Sequence, residues 1–194
     1  MIGIFGGSFD PPHKAHLLCI QLFWKNFPKA NRLYVVPNSL SPLKTNKFSS
    51  KSDIEKMTEI LIKEAGFEKT FLSSYELEKS GKSYTIDTIL HFKEMFPKEE
   101  IGLMIGSDNL EKFPLWKDYD LILQVVKLLV VPRKGFSLEI PKELIVWSEK
   151  IIFLEIETPL EISSTSVREK IVDIKEVLTP KVLEFVKEKK LYGY

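Results

Sequence analysis

Short apolar runs, many of them β-branched, alternate along the chain with segments in which apolar residues recur every three or four positions. Ile2 to Phe5, Leu33 to Val36, Phe71 to Leu72, Ile101 to Ile105, Lys127 to Val131 and Ile151 to Glu155 predict six strands. Most of these runs are continuously apolar, the pattern of strands covered on both faces in a parallel sheet. Between them, Leu17, Ile20, Trp24 and Phe27 mark a helix over Ala15 to Phe27; Ile54, Met57 and Leu61 mark a second, and Ile86, Ile89 and Leu90 a third. This alternation predicts an α/β fold with a doubly wound, mostly parallel sheet of five to six strands. In such sheets ligands sit beyond the carboxyl ends of the strands, where the strand order reverses.

From Leu160 onward the pattern changes. Ile162 to Glu169 precedes an apolar-periodic segment, and Ser166 and Glu169, three apart, have the spacing of a capping box that starts a helix. A last helix is expected from about Pro180 to Lys190. Residues 1–194 are read as one domain, with 160–194 as its small helical C-terminal part. Pro37 to Ser52, rich in Ser, Pro, Asn and Lys, reads as one long loop of the kind that usually carries function or is disordered.

Composition narrows the function. The formal charge of +1 gives no global field to draw the chain onto a polyanion, which argues against a nucleic-acid partner. The apolar start is too short for a signal peptide, and no run reaches the roughly 18 apolar residues of a membrane span, so a cytoplasmic protein is expected. Cys19 is the only cysteine, which excludes an intrachain disulfide and a cysteine zinc site; a buried helical position is expected for it. Arg32, Arg133 and Arg168 are the only arginines in a lysine-rich chain. Bidentate phosphate contact is one reason to keep a guanidinium, and a plain salt bridge serves equally well for Arg32.

The chemistry concentrates after the first strand, in Gly6-Gly7-Ser8-Phe9-Asp10-Pro11-Pro12-His13-Lys14-Ala15-His16. A Gly-Gly pair there lets the backbone approach a ligand without Cβ interference, and the following helix presents free N–H groups and a positive dipole end, which suits phosphate. His13 and His16 lie on the same side of a forming helical turn and can both donate to polyphosphate oxygens. A metal-binding pair is the rival reading, weakened by the presence of only one other histidine, His91, and by the lack of a glutamate in the motif.

Gly7 to His16 resembles the N-terminal signature of the HxGH nucleotidyltransferases, which are Rossmann-like, and Ile162 to Arg168 resembles their C-terminal ISSTxxR signature. Within that superfamily Tyr84 to Thr88, Gly106 to Leu110, Trp116 and Val131 to Gly135 are similar to the nicotinate-nucleotide adenylyltransferase branch. The resemblance spans essentially the whole chain and implies transfer of AMP from ATP to nicotinate mononucleotide, with Mg²⁺ carried mainly on the ATP phosphates and no metal site made by the protein. It implies that Gly6, Gly7, Ser8, Phe9, His16, Gly106, Asp108, Ser164, Thr165 and Arg168 bind ATP. His13, His16, Lys44 and Arg168 would serve catalysis, and Tyr84, Thr85, Trp116 and Arg133 would hold the acceptor. A homo-oligomer is compatible with this reading.

Each position also has a plainer reading. Asp108 could cap a short helix starting at Asn109, Trp116 could be core, Ser163 to Ser166 could be only a cap, and Lys44 could be a solvated lysine. Two departures stand out. Ala15 replaces the family's glycine between the histidines, and no arginine occurs in Ser49 to Glu59. The alternatives are a pantetheine-phosphate or nicotinamide-nucleotide adenylyltransferase, or a nucleotide-binding regulator without turnover.

Overall fold

The computed structural model describes residues 1–38, 48–79, 81–156, 164–169 and 172–193. The first half runs β1 (Ile2–Gly7), α1 (Lys14–Asn26), β2 (Arg32–Pro37), α2 (Lys51–Ala65), β3 (Thr70–Leu72), α3 (Tyr75–Glu78) and α4 (Thr85–Met95). The second half runs β4 (Ile101–Gly106), α5 (Ser107–Leu110), α6 (Tyr119–Val125), β5 (Val126–Val131), β6 (Ile151–Phe153), α7 (Ser164–Arg168), α8 (Ile174–Val177) and α9 (Pro180–Glu188). Single-turn or longer 3₁₀ segments cover Phe113–Leu115, Lys142–Lys150 and Leu191–Gly193.

The six strands form one sheet in the order β3-β2-β1-β4-β5-β6, every neighbouring pair parallel. All six expected strands are present. The chain winds outward from β1 to β3, then returns to pair β4 on the other side of β1. The order therefore reverses between β1 and β4, and their carboxyl ends flank a crevice.

The continuous apolar strands are explained by two cores, one on each face of the sheet. On one face Phe5, Leu33, Val35 and Leu129 pack with Phe23 of α1, Met57 of α2 and the C-terminal Val182 and Val186. On the other, Ile2, Ile4, Leu103 and Leu128 pack with Ile89 and Phe92 of α4 and Ile122 of α6. Gly3 lies where α1 crosses the central strand: a Cβ there would overlap the Phe23 ring and stand 2.8 Å from Leu33 Cδ1. Helix α2 starts where Ser50 Oγ accepts from Asp53 N at 3.1 Å and stops at Gly66, whose φ of +74° suits only glycine without strain. Cys19 is buried in α1 as expected, and burial pushes its thiol up to about 12, which leaves it unreactive. No helix among the described residues is long and apolar enough to cross a membrane.

Several boundaries differ from the sequence reading. Helix α5 begins at Ser107 behind Gly106, so Asp108 lies inside its first turn and is not the cap of a helix starting at Asn109. Helix α7 is already formed at Ser164, so Ser166 is an interior position and not the start of the helix, and Glu169 N closes a helical bond to Thr165 O at 3.0 Å. Strand β6 ends at Phe153, two residues short of the expected Glu155. The short α3 and α6 and the 3₁₀ segment 142–150 have no counterpart in the sequence reading, because four to nine residues are too few to display a helical period.

The Gly3 packing yields a direct test. Gly3→Ala should destabilise the protein by about 1–3 kcal/mol in urea unfolding, the usual cost of forcing an extra methyl into a close-packed core. An unchanged midpoint would mean that α1 does not sit this tightly on β1.

Candidate active site

The segment from Gly6 to His13 leaves β1 at the reversal point. A Cβ on Gly7 would stand 3.0 Å from the Phe9 ring, so glycine makes room for that ring, whereas a Cβ on Gly6 would meet nothing within 4 Å. Gly6 therefore borders open space. Phe9 holds a left-handed φ of +46°, and its ring is wholly buried, edge-on to Phe5 at 5.3 Å and 4.6 Å from His16. A ligand meets residue 9 only through its backbone. Gly7 O accepts from Asn38 N at 2.8 Å, which ties this turn to the chain leaving β2.

His13 caps α1 with extended backbone, and its N–H donates to His16 Nδ1 at 3.1 Å. That bond occupies the Nδ1 lone pair of His16, so in the neutral ring the proton sits on Nε2 as a donor. The two imidazoles lie 3.8 Å apart between centroids. His13 is 3% exposed, and its Nδ1 has no hydrogen-bond partner. Burial, and secondarily His16 and Arg133, hold its pKa well below the usual histidine value. It is a neutral ring at neutral pH. The added methyl of Ala15 faces inward, 6% exposed.

The C-terminal signature docks directly on this loop. Ser164 Oγ donates to Pro11 O at 3.0 Å, and Arg168 Nη1 donates to Asp10 O at 2.7 Å. A second guanidinium nitrogen, Nη2, donates to Thr165 Oγ1 at 3.1 Å, and the guanidinium lies 5.0 Å from the Phe48 ring centroid. Pro11 and Pro12 have no N–H, which limits self-bonding within the loop and leaves its carbonyls to donors from elsewhere. Ser164, Thr165 and Arg168 are thus brought to the first motif. Lys44, and Ile162 and Ser163 of the second signature, lie outside the described residues.

Across the crevice, Ser107 Oγ accepts from Arg133 N at 2.9 Å, joining the ends of β4 and β5. Arg133 Nε lies 3.6 Å from Asp108 Oδ1, a buried oxygen that makes no hydrogen bond. A Cβ on Gly106 would collide with the Asp108 carboxylate and stand 2.8 Å from Arg133 Cδ, so glycine lets these two side chains close over the end of β4. The Arg133 charge also acts on His13, adding to burial and His16 in lowering its pKa.

A third cluster gathers Tyr84, Thr85 and Trp116. Tyr84 caps α4 and Thr85 is its first residue, so the positive end of an eleven-residue helix opens here. Trp116 is half-buried against Phe113, 4.9 Å between ring centroids. Lys117 Nζ stands 4.8 Å over the Tyr84 ring, which draws the two segments together. Sequence reasoning passed over Lys117. It also left Asp10 without a role: this 1%-exposed carboxylate accepts from Phe48 N at 2.9 Å and from the Tyr192 hydroxyl at 2.7 Å. Asp10 stood inside the quoted motif, whereas nothing local marked Tyr192. Among the described residues, no group of three or more His, Cys, Asp or Glu is placed to hold a metal ion.

A reversal-point crevice lined by a glycine turn, a helix start and a guanidinium is a nucleotide site in type, and comparison with known proteins agrees. The cytidylyltransferase-like family model matches residues 4–170, and the chain belongs to that family. It is 35% identical over 196 residues to a Leptospira interrogans protein named "Probable nicotinate-nucleotide adenylyltransferase", covering 100% of this chain and 97% of that one. A Geobacillus thermodenitrificans protein of the same name is 34% identical over 197 residues, covering 99% and 86%. Among solved structures, the Plasmodium falciparum nicotinic acid mononucleotide adenylyltransferase complexed with NaAD superposes with a TM-score of 0.79 at 23% identity, covering 100% of this chain and 97% of that one. At that identity the likeness concerns the fold.

The depressed His13 pKa sets a pH dependence. The unfolded chain binds a proton at His13 near pH 6.5 and the folded protein does not, so His13 contributes stability above that value that is lost as pH falls below it, toward the folded pKa. Wild type should lose up to about 1.4 kcal/mol per pH unit below 6.5 relative to His13→Asn. Parallel stability profiles for the two proteins would mean that His13 is not buried neutral.

Proposed function

We propose that this enzyme moves AMP from ATP, taken as its Mg²⁺ complex, to nicotinate mononucleotide, releasing pyrophosphate and forming nicotinate adenine dinucleotide for NAD biosynthesis. The observation that carries this reading is the docking of Ser164 and Arg168 onto the carbonyls of Pro11 and Asp10, which joins the two signatures around one crevice. The relatives' shared name supplies the acceptor.

The acceptor's phosphate monoester is already about −1.5 to −2 at neutral pH, so its oxygen needs no general base. It attacks the α-phosphorus of ATP while the bond to the bridging oxygen breaks, and that electron pair leaves on pyrophosphate. The chain's task is in-line placement and stabilisation of phosphate charge. Backbone at Gly6 to Phe9 and the start of α1 receive the triphosphate, His16 Nε2–H donates to it, and neutral His13 lies beside the reacting phosphates. Thr165 and Arg168 close on the β- and γ-phosphates with Lys44 from the loop. Asp108 accepts from the adenosine ribose.

On the acceptor side the Trp116 ring stacks on the pyridine, and the start of α4 at Thr85 faces its substituent. The positive helix end and the Lys117 ammonium over Tyr84 favour a carboxylate there over an amide. Arg133 pairs with Asp108 and its charge acts on His13, so it serves the junction between the two substrates.

Pyrophosphate release measured with ATP against nicotinate mononucleotide, nicotinamide mononucleotide and phosphopantetheine tests the assignment. The acid should give the highest kcat/KM, and Trp116→Ala should weaken acceptor binding by about 1–3 kcal/mol, the worth of one stacked base. Preference for phosphopantetheine, or acceptor affinity unmoved by the loss of Trp116, would overturn it.

A further inference from the structure

We infer that Tyr192 is a positioning residue for the nucleotide site: its hydroxyl holds the buried Asp10 carboxylate, and through Asp10 the loop from β1 to α1, so that ATP binding depends on the last turn of the chain. The inference deepens the functional reading above and rests on it.

Asp10 is the meeting point of three distant segments. Its Oδ1 accepts from the Tyr192 hydroxyl at 2.7 Å, its Oδ2 from Phe48 N at 2.9 Å, and its carbonyl from Arg168 Nη1 at 2.7 Å. Ser49 Oγ in turn donates to the Tyr192 hydroxyl at 2.7 Å. A carboxylate 1% exposed needs such donors, because an ionised oxygen left without one is costly in a dry environment. Burial, with the neighbouring Asp10 charge adding to it, pushes the Tyr192 hydroxyl up, so it stays protonated and donates. The backbone bends to deliver it: Lys190 and Tyr192 both take left-handed conformations, φ +53° and +56°, which side-chain-bearing residues adopt at a cost. Phe48 and Ser49 immediately precede α2, so the same hydroxyl and carboxylate tie the entry to that helix to the glycine turn.

The test is steady-state kinetics of full-length Tyr192→Phe, which keeps the ring and removes one charge-assisted donor. The KM for ATP should rise about tenfold, in line with a lost hydrogen bond to a charged group, while the acceptor KM stays within about twofold. The double variant Asp10→Asn/Tyr192→Phe should be no worse than Asp10→Asn alone. Equal rises in both KM values, a lowered Tm with unchanged kinetics, or additive losses in the double variant would overturn the inference. If Tyr192→Phe does not fold, Ser49→Ala reads the same hydroxyl: a selective rise in ATP KM supports the inference, and an unchanged one overturns it. If wild type releases pyrophosphate with no acceptor, the functional reading fails separately. Thermal stabilisation by ATP alone then decides, since a loss confined to Tyr192→Phe supports the inference, and equal or absent stabilisation in both proteins overturns it.

Discussion

The two hydrogen bonds from Ser164 and Arg168 to the carbonyls of Pro11 and Asp10 hold residues 153 and 158 positions apart in one site. They exist because consecutive prolines remove two amide donors from the loop, while the loop's carbonyls still require partners once they leave water. The Arg168 guanidinium and the Asp10 backbone are thereby fixed together across 158 positions of sequence.

The sheet makes this closure possible. Because the strand order reverses at β1, the loops after β1 and β4 diverge on either side of a crevice, with His13 and His16 at the start of α1 on one side and Asp108 and Arg133 on the other. The two are electrically linked, since Arg133 helps to keep His13 neutral. A neutral His13 beside a His16 whose Nδ1 accepts from the His13 amide gives the site oriented donors without the repulsion of two adjacent imidazolium ions.

The strands were legible because each is a continuous apolar run covered on both faces, and the glycine-histidine motif because its residues are contiguous. What escaped the sequence depends on contacts between distant residues. Tyr192 sits in an unremarkable tail, and its partner Asp10 is 182 residues away. Lys117 follows Trp116 as one more lysine until Tyr84 is brought beneath it. The start of α7 was misplaced by local reasoning because the hydroxyl of Ser164 is committed to Pro11, a tertiary contact that no spacing rule contains.

The most direct test of the account is a crystal structure of the protein with a non-hydrolysable ATP analogue. The triphosphate should lie between the backbone of Gly6 to Phe9 and the side chains of Thr165 and Arg168, with His16 Nε2 in hydrogen-bond reach of a phosphate oxygen. A nucleotide bound away from the β1–α1 loop, or one that leaves Thr165 and Arg168 without phosphate contact, would contradict it.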